Sequence, residues 1–364
     1  MASELVSFTK INNFLIFLIF FTPVFALAET IIDDYRKYEV TKTKFTLEKS
    51  AKDLSYPWAL SFIDKTNVVI TEKDGGLYKV DVLSGKKQKI KHNIPHIGYD
   101  GGGQGGLLDV YFNPSDDYIY FTYSHKSSKL TRSKQLSKKS STAIARGRLI
   151  ENEIKDFEIL LIAKPEFLEN RHYGSRIAIK GDDLFVSFGE RGQGMISQDP
   201  SKHPGSIIRI KTDGAIPQDN PHFIEKKDWL PEIYVIGVRN PQGIAISPHD
   251  DELYFSNHGP RGGDHIGQVE FGSNYGWKDI AWGGREYYGL GIGDTPFKDK
   301  YKKPLISWVP SMAISSIQFY EGKAFPEWQG DLLVSSLNGG SLIRLDVENN
   351  EIVEMESNRT VVKN

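Results

Sequence analysis

Two short motifs, "HYGSR" and "GERG", carry the residues best suited to acid–base chemistry, His172 and Glu190. An unperturbed imidazole titrates near neutral pH, so it can accept a proton while a neighbouring bond breaks. A carboxylate one strand away can bind the other ring nitrogen, fix the tautomer and stabilise the imidazolium. These two residue types are those that a general base and a carboxylate that orients it require. A purely structural role for His172 stays open as the alternative.

Polar residues at equivalent places in neighbouring segments point to a shared ligand. They include Gln104 in "GGGQGG" and the pair Arg239 and Asn240 in "GVRNPQG". A guanidinium suits carboxylates and developing oxyanions, although an arginine also closes turns before a proline. By itself "HGPRGGD" predicts only a turn or an anion-binding nest, in which Asp264 either belongs to an ion site or caps the loop.

Three glycines, Gly101, Gly103 and Gly106, have the spacing of a dinucleotide-binding fingerprint. That fingerprint needs a helix after the glycines, because the helix N-terminus holds the pyrophosphate. Here the runs "LLDVYF" and "YIYFTYS" follow, and both predict strands. The glycines are therefore interpreted as a side-chain-poor loop around Gln104 rather than as a nucleotide site.

One phrase of short strands separated by Asn, Asp, Pro or Gly turns recurs five times. The copies begin at Trp58, Leu107, Arg176, Gly243 and Ser316. Such units bury both faces only by stacking, so the repeat predicts an all-β, six-bladed β-propeller, with a β-sandwich as the alternative. The stretch from Tyr38 is expected to lend a strand to the final blade. The tail after Val347 is short, so the last blade is expected to be incomplete at the C-terminus.

The charge balance disfavours a polyanionic partner. The 364 residues include 45 basic and 47 acidic side chains, giving a formal net charge of −2. This favours a small ligand over nucleic acid or an anionic membrane. The basic run over residues 126–148 lacks aromatic residues, so it is predicted to be a long solvated loop rather than a nucleic-acid channel.

The amino terminus is predicted to be a signal peptide over residues 1–28, cleaved between Ala28 and Glu29. An uncleaved anchor is the alternative. Residues 29–364 are then expected to form a single propeller domain, periplasmic or secreted, with no membrane anchor after cleavage. The chain contains no cysteine, so disulfides do not hold this fold.

Several motifs together resemble one family, the soluble quinoprotein sugar dehydrogenases, and in particular their aldose sugar dehydrogenase branch. They are "DGGGQGGLLDV", "HYGSR", "GERG", "GVRNPQGIA", "HGPRGGD", "NYGW" and "WVPSMAISSIQFY", in this order. The similarity extends from about Tyr56 to Val347. It implies a six-bladed propeller that uses pyrroloquinoline quinone (PQQ) and calcium.

The resemblance also implies roles for individual residues. His172 would be the general base, Glu190 its partner in place of the more usual Asp, and Arg239 a further catalytic residue. Contacts to PQQ would come from Gln104, Arg239, Asn240, Tyr275 and Asn338, the last standing where the family commonly has a lysine. For Tyr275, packing between blades is the alternative. The carbonyls of Gly259 and Pro260 would bind calcium, and the Arg-x-Arg motif that the family has after the "SLNGG" loop is not found in that part of this sequence.

The implied activity is oxidation of the C1 hydroxyl of aldose sugars to lactones, with electrons passed to an external acceptor. Two alternatives remain at this point. One is a calcium-dependent propeller lactonase or other hydrolase, in which His172 would activate water. The other is a noncatalytic propeller that binds sugars or proteins.

Overall fold

Strands dominate the computed structural model, which describes residues 31–40, 43, 48–127, 138–338, 341–348 and 351–358. Helical segments within these residues are short. They are one α-helix, α1 (Pro221–Ile224), and the 3-10 helices Tyr35–Lys37, Gly194–Gln198 and Pro326–Trp328.

The strands form five sheets. Two short strands come first, β1 (Ile31–Asp33) and β2 (Glu39–Val40). The first sheet contains β3 (Pro57–Phe62), β4 (Asn67–Glu72), β5 (Leu77–Asp81) and β6 (Lys87–Lys89). The second contains β7 (Leu107–Asn113), β8 (Tyr118–Lys126), β9 (Ser140–Ile150) and β10 (Glu153–Ile162). The third contains β11 (Ile177–Lys180), β12 (Asp183–Phe188), β13 (Ser206–Lys211) and β14 (Ile233–Ile236).

The last two sheets each gain one strand from the N-terminal segment. The fourth contains β15 (Pro241–Ile246), β16 (Leu253–Asn257), β17 (Asp264–Gln268) and β18 (Ile306–Trp308), with β1 parallel to β18. The fifth contains β19 (Ile314–Phe319), β20 (Leu332–Ser336), β21 (Leu342–Glu348) and β22 (Glu351–Asn358), with β2 parallel to β22.

The sheets follow one another around an axis. The first strand of each packs against that of the next, in the series β3, β7, β11, β15 and β19. This arrangement confirms the propeller prediction over the sandwich. The predicted number of blades was wrong for the described residues, which form five sheets rather than six.

The predicted incomplete last blade was also wrong. After the repeat ends near Val347, the chain turns back and forms β22, in which Glu351 pairs with Glu348. A hairpin return needs few residues, so the short tail completes four antiparallel strands. The strand expected from the Tyr38 segment is present, because Glu39 pairs with Glu356.

Apolar side chains from adjacent sheets form the core. Leu77 of the first sheet packs in one cluster with Phe121 of the second. Trp308 of the fourth sheet and Val334 of the fifth share another cluster. The strands thus bury their apolar residues between blades and leave their connecting loops for ligands.

The N-terminal segment and part of the basic run lie outside the described residues. The predicted signal peptide, residues 1–28, lies outside the described residues, and so do residues 128–137 of the basic run. The loop prediction was wrong for residues 140–148, which belong to β9: their backbone pairs with β8 and β10, and the small Ser, Thr and Ala side chains of residues 140–143 are buried. In the part of the chain that the structure describes, no helix is long and apolar enough to cross a membrane.

Candidate active site

A cavity of about 110 Å³ lies among the loops that connect the sheets. Four residues predicted from the sequence line it: His172, Glu190, Arg239 and Pro260. His172 precedes β11, Glu190 follows β12, and Arg239 precedes β15. The repeat therefore brings equivalent loop positions of successive sheets to one place, as the sequence predicted.

His172 and Glu190 form a buried hydrogen-bonded pair. The imidazole Nδ1 contacts Glu190 Oε1, and the second carboxylate oxygen accepts a hydrogen bond from the Gly194 N–H. Only 8% of His172 and 2% of Glu190 is exposed. Because Nδ1 donates to the carboxylate, Nε2 carries the lone pair and is the atom that can take a proton.

Burial sets the protonation state of this pair. It lowers the pKa of His172 to about 4, and the Arg239 charge acts in the same direction, although Glu190 opposes both. For Glu190, burial acts to raise the pKa, but the contacts with His172 and Gly194 outweigh it, so its pKa is lowered. At neutral pH the pair is therefore a neutral imidazole beside a carboxylate, which is the state a general base requires.

The backbone around His172 is held in an unusual conformation. His172 has a φ of 53°, in the left-handed region that side chains rarely adopt. Gln104 Oε1 accepts a hydrogen bond of 2.6 Å from the His172 N–H, and Gly189 passes so close that a Cβ there would lie 2.2 Å from the His172 oxygen. Gln104 thus positions the base through its backbone.

Arg239 is buried without a carboxylate partner. Its Nη1 donates to the carbonyls of His258, at 2.9 Å, and Gly259, at 3.1 Å. Its Nη2 lies 3.4 Å from the Tyr287 hydroxyl, and the guanidinium lies over the Trp277 ring. No carboxylate of the described residues is within 4 Å of it, so its charge is left for a ligand.

Asn240 is not among the residues that line the cavity, and it hydrogen-bonds to a neighbouring loop instead. Its Oδ1 accepts hydrogen bonds from the Gly174 N–H at 3.1 Å and from Gln242 at 3.3 Å. Gly174 lies two residues after His172, and Asn240 is next to Arg239, so this hydrogen bond connects the loop of His172 to the loop of Arg239.

The structure does not bring Tyr275 and Asn338 to the cavity. Tyr275 is buried, stacks on the His265 ring and donates from its hydroxyl to the Gln268 carbonyl at 2.7 Å. This is the packing role that was left open for it. Asn338 is exposed, and its side-chain amide lies 3.4 Å from the Ser311 oxygen.

The loop expected to bind calcium is already hydrogen-bonded. Asp264 caps it, accepting from the Gly259 N–H at 2.6 Å. The Gly259 oxygen accepts from Arg239 and from His258 Nδ1, so both its lone pairs are in use and this arrangement does not fit a calcium ion. Among the described residues no three His, Cys, Asp or Glu side chains form a metal-binding group.

Besides two glycines, five lining residues were not predicted from the sequence: Arg171, Trp277, Lys278, Glu286 and Tyr287. Lys278 and Glu286 form an ion pair across 8 residues of chain. Two signals were available, since Arg171 directly precedes the base and Trp277 ends the "NYGW" motif. The other three lie in a stretch without repeat character.

A meander of four antiparallel strands, repeated around an axis, carries a buried histidine–glutamate pair beside a buried arginine, and this arrangement is that of a propeller enzyme. The profile of the Glucose / Sorbosone dehydrogenase family matches residues 54–363, and the chain belongs to this family.

Relatives agree with that assignment. The aldose sugar dehydrogenase YliI of Escherichia coli (strain K12) is 33% identical over 310 residues, covering 83% of this chain and 80% of the relative. Quinoprotein glucose dehydrogenase B of Acinetobacter calcoaceticus is 26% identical, covering 81% and 76%. The apo-form crystal structure of the soluble aldose sugar dehydrogenase from Escherichia coli has a TM-score of 0.76 and 31% identity, covering 84% and 87%. The chain is therefore similar to sugar dehydrogenases along most of its length.

Proposed function

We propose that this protein oxidises the C1 hydroxyl of aldose sugars to lactones with PQQ as the oxidant, and passes the electrons to an external acceptor. One observation carries the proposal: His172, buried and neutral, presents Nε2 to a cavity that also contains the unpaired Arg239. A base beside a cation suits a reaction that removes a proton while negative charge develops on an oxidant.

The reaction balances with these groups. His172 Nε2 would take the C1 hydroxyl proton as the C1 hydrogen is lost with its electron pair, and the C1–O bond would become the lactone carbonyl. Glu190 stabilises the imidazolium that forms, because its carboxylate lies on Nδ1. The external acceptor would take up the two electrons removed from the sugar, and His172 would release its proton to solvent.

The chemistry of the cavity fits PQQ, which is flat and carries three carboxylates. Arg239 and Arg171 supply positive charge, and the Trp277 ring supplies a flat apolar wall. When bound, PQQ would supply the two-electron oxidant. The quinoprotein relative supports this cofactor.

The proposed steps do not use calcium, and the proposed location rests on the sequence. Calcium binding at Gly259 and Pro260 would require Arg239 and His258 to release the Gly259 oxygen, so no step above depends on it. The predicted signal peptide supports a periplasmic or secreted site of action.

Reconstitution tests the proposed activity. The purified protein, incubated with PQQ and with or without calcium, should reduce a redox dye when glucose or another aldose is added. The methyl glycoside of the same sugar, whose C1 oxygen is blocked, should not react. Lactone hydrolysis without dye reduction would favour the hydrolase alternative and overturn the proposal.

A further inference from the structure

A second cavity, of about 430 Å³, lies beside the candidate active site and is unusually rich in positive charge. Three arginines line it, Arg36, Arg261 and Arg285. The chain as a whole carries a formal charge of −2, so this concentration of guanidinium groups is local.

Two of the three charges are not balanced. Arg36 binds Asp34 through two hydrogen bonds, of 2.7 and 2.6 Å. Neither Arg261 nor Arg285 lies within 4 Å of a carboxylate in the described part of the chain. Two like charges that line one cavity repel each other, and an anion between them would remove that repulsion.

The backbone keeps these two arginines together. The Arg261 N–H donates to the Arg285 carbonyl at 3.0 Å, and Arg285 forms a β-bridge with Gly291 that closes a tight hairpin. The loops that carry the two residues are therefore hydrogen-bonded to each other, so the backbone holds both arginines at the edge of the same cavity.

One residue separates this cavity from the active site. The Tyr287 hydroxyl lies by Arg239 Nη2 in the first cavity, while its carbonyl accepts from Arg261 Nη1 at 3.3 Å in the second. Pro260 lines the first cavity and the adjacent Arg261 lines the second. A ligand that extends past Tyr287 would thus reach both.

We propose that Arg261 and Arg285 form a subsite for the carboxylate or phosphate of an acidic aldose whose C1 lies near His172. The placement of C1 near His172 rests on the proposed function. Guanidinium groups bind both kinds of anion through paired N–H donors, so the shared chemistry is that of an anionic sugar.

Binding to the cofactor-free protein tests the subsite without relying on turnover. Calorimetric titrations with glucose, glucuronate and glucose 6-phosphate should show that one or both anions bind more tightly than glucose, and comparison of the two identifies carboxylate or phosphate. Arg261→Gln, Arg285→Gln and the double variant should each lower the affinity for the anion, the double variant by about tenfold or more. Lys89→Gln, which removes an exposed charge on β6, is the matched control.

The outcomes separate the subsite from the activity. Equal affinity for all three sugars, or unchanged anion affinity in the double variant, would overturn the subsite even if the protein oxidises glucose. Loss of PQQ affinity in the double variant, read by absorbance, would assign the arginines to the cofactor and also overturn it. Arginine-dependent anion binding by a protein without dehydrogenase activity would retain the subsite and reject the proposed function.

Discussion

At the scale of single residues, the chemistry depends on how His172 is kept neutral and oriented. Its ring is held by Glu190 on one side and leaves Nε2 towards the cavity. Motif reasoning identified both residues, because a histidine and a carboxylate one strand apart are a recognisable pair. It did not identify the Lys278–Glu286 pair, since those residues meet only through loop folding.

Replacing the base should abolish most turnover while leaving the fold intact. We expect His172→Ala to lower the dye-reduction rate by roughly 100- to 10,000-fold, the usual contribution of general base catalysis. The wild-type rate should rise with pH through about 4 and then stay level to neutral pH, because the imidazole is neutral above that pKa. Turnover within a few fold of wild type in the variant would show that His172 is structural.

The carboxylate next to the base provides a second, graded test. Glu190→Gln keeps a hydrogen-bond acceptor for Nδ1 but removes the charge that stabilises the imidazolium, so we expect turnover to fall about tenfold to a hundredfold. Glu190→Asp keeps the charge, and its shorter side chain should reach His172 or the Gly194 N–H but not both. Steady-state kinetics that rank the glutamine variant above the aspartate variant would contradict this role.

At the scale of elements, the repeat predicted the short strands and the glycine turns between them, but it did not predict which segments far apart in the sequence would pair. The sequence indicated that the glycines before Leu107 lead into a strand, and β7 begins there. It did not indicate that β1 would add parallel to β18, because that pairing joins residues 275 positions apart, as Ile31 and Ile306 do. Long-range edge pairings leave little local signal.

The loop of Gly189 lies directly against the backbone of His172, and a methyl group added at Gly189 tests this contact. Gly189→Ala should disturb the His172 backbone, because the new Cβ would lie 2.2 Å from its oxygen, and we expect a loss of stability of about 1–3 kcal/mol together with lower turnover. Gly102→Ala is the matched control, since a Cβ there meets nothing within 4 Å. Chemical denaturation and dye reduction measure both effects, and a Gly189 variant as stable and active as the control would be evidence against the packing described.

At the scale of the whole molecule, the propeller was predictable but its blade count was not. Five repeats were visible, and the sixth blade was inferred from the extended stretch at Tyr38 and from the resemblance, whereas the described residues form five sheets. The first sheet leaves Leu60 and Phe62 more than half exposed. The five visible repeats therefore match the five described sheets, whereas the added sixth blade does not.

Buried neutral histidines should make the whole fold sensitive to mild acid. Burial lowers the pKa of His125, His172 and His265 below the usual 6.5, so the unfolded chain binds protons that the folded protein does not. Stability should be fully present above pH 6.5 and fall as the pH drops towards 4, by up to about 1.4 kcal/mol per pH unit for each of His172 and His265, with a further loss in the same direction from His125. Unfolding free energies from denaturant titrations across this range check the sign, and His265→Gln should reduce the slope. A free energy that is constant or increases on acidification would contradict it.

The most direct test of the central claim is the isotope effect on a single turnover. With the PQQ-loaded protein in excess over sugar, the account predicts that glucose deuterated at C1 reacts several-fold more slowly than unlabelled glucose and yields the lactone, because the C1–H bond breaks while His172 takes the proton. Equal rates for the two sugars, or no reaction of either with PQQ bound, would contradict the account.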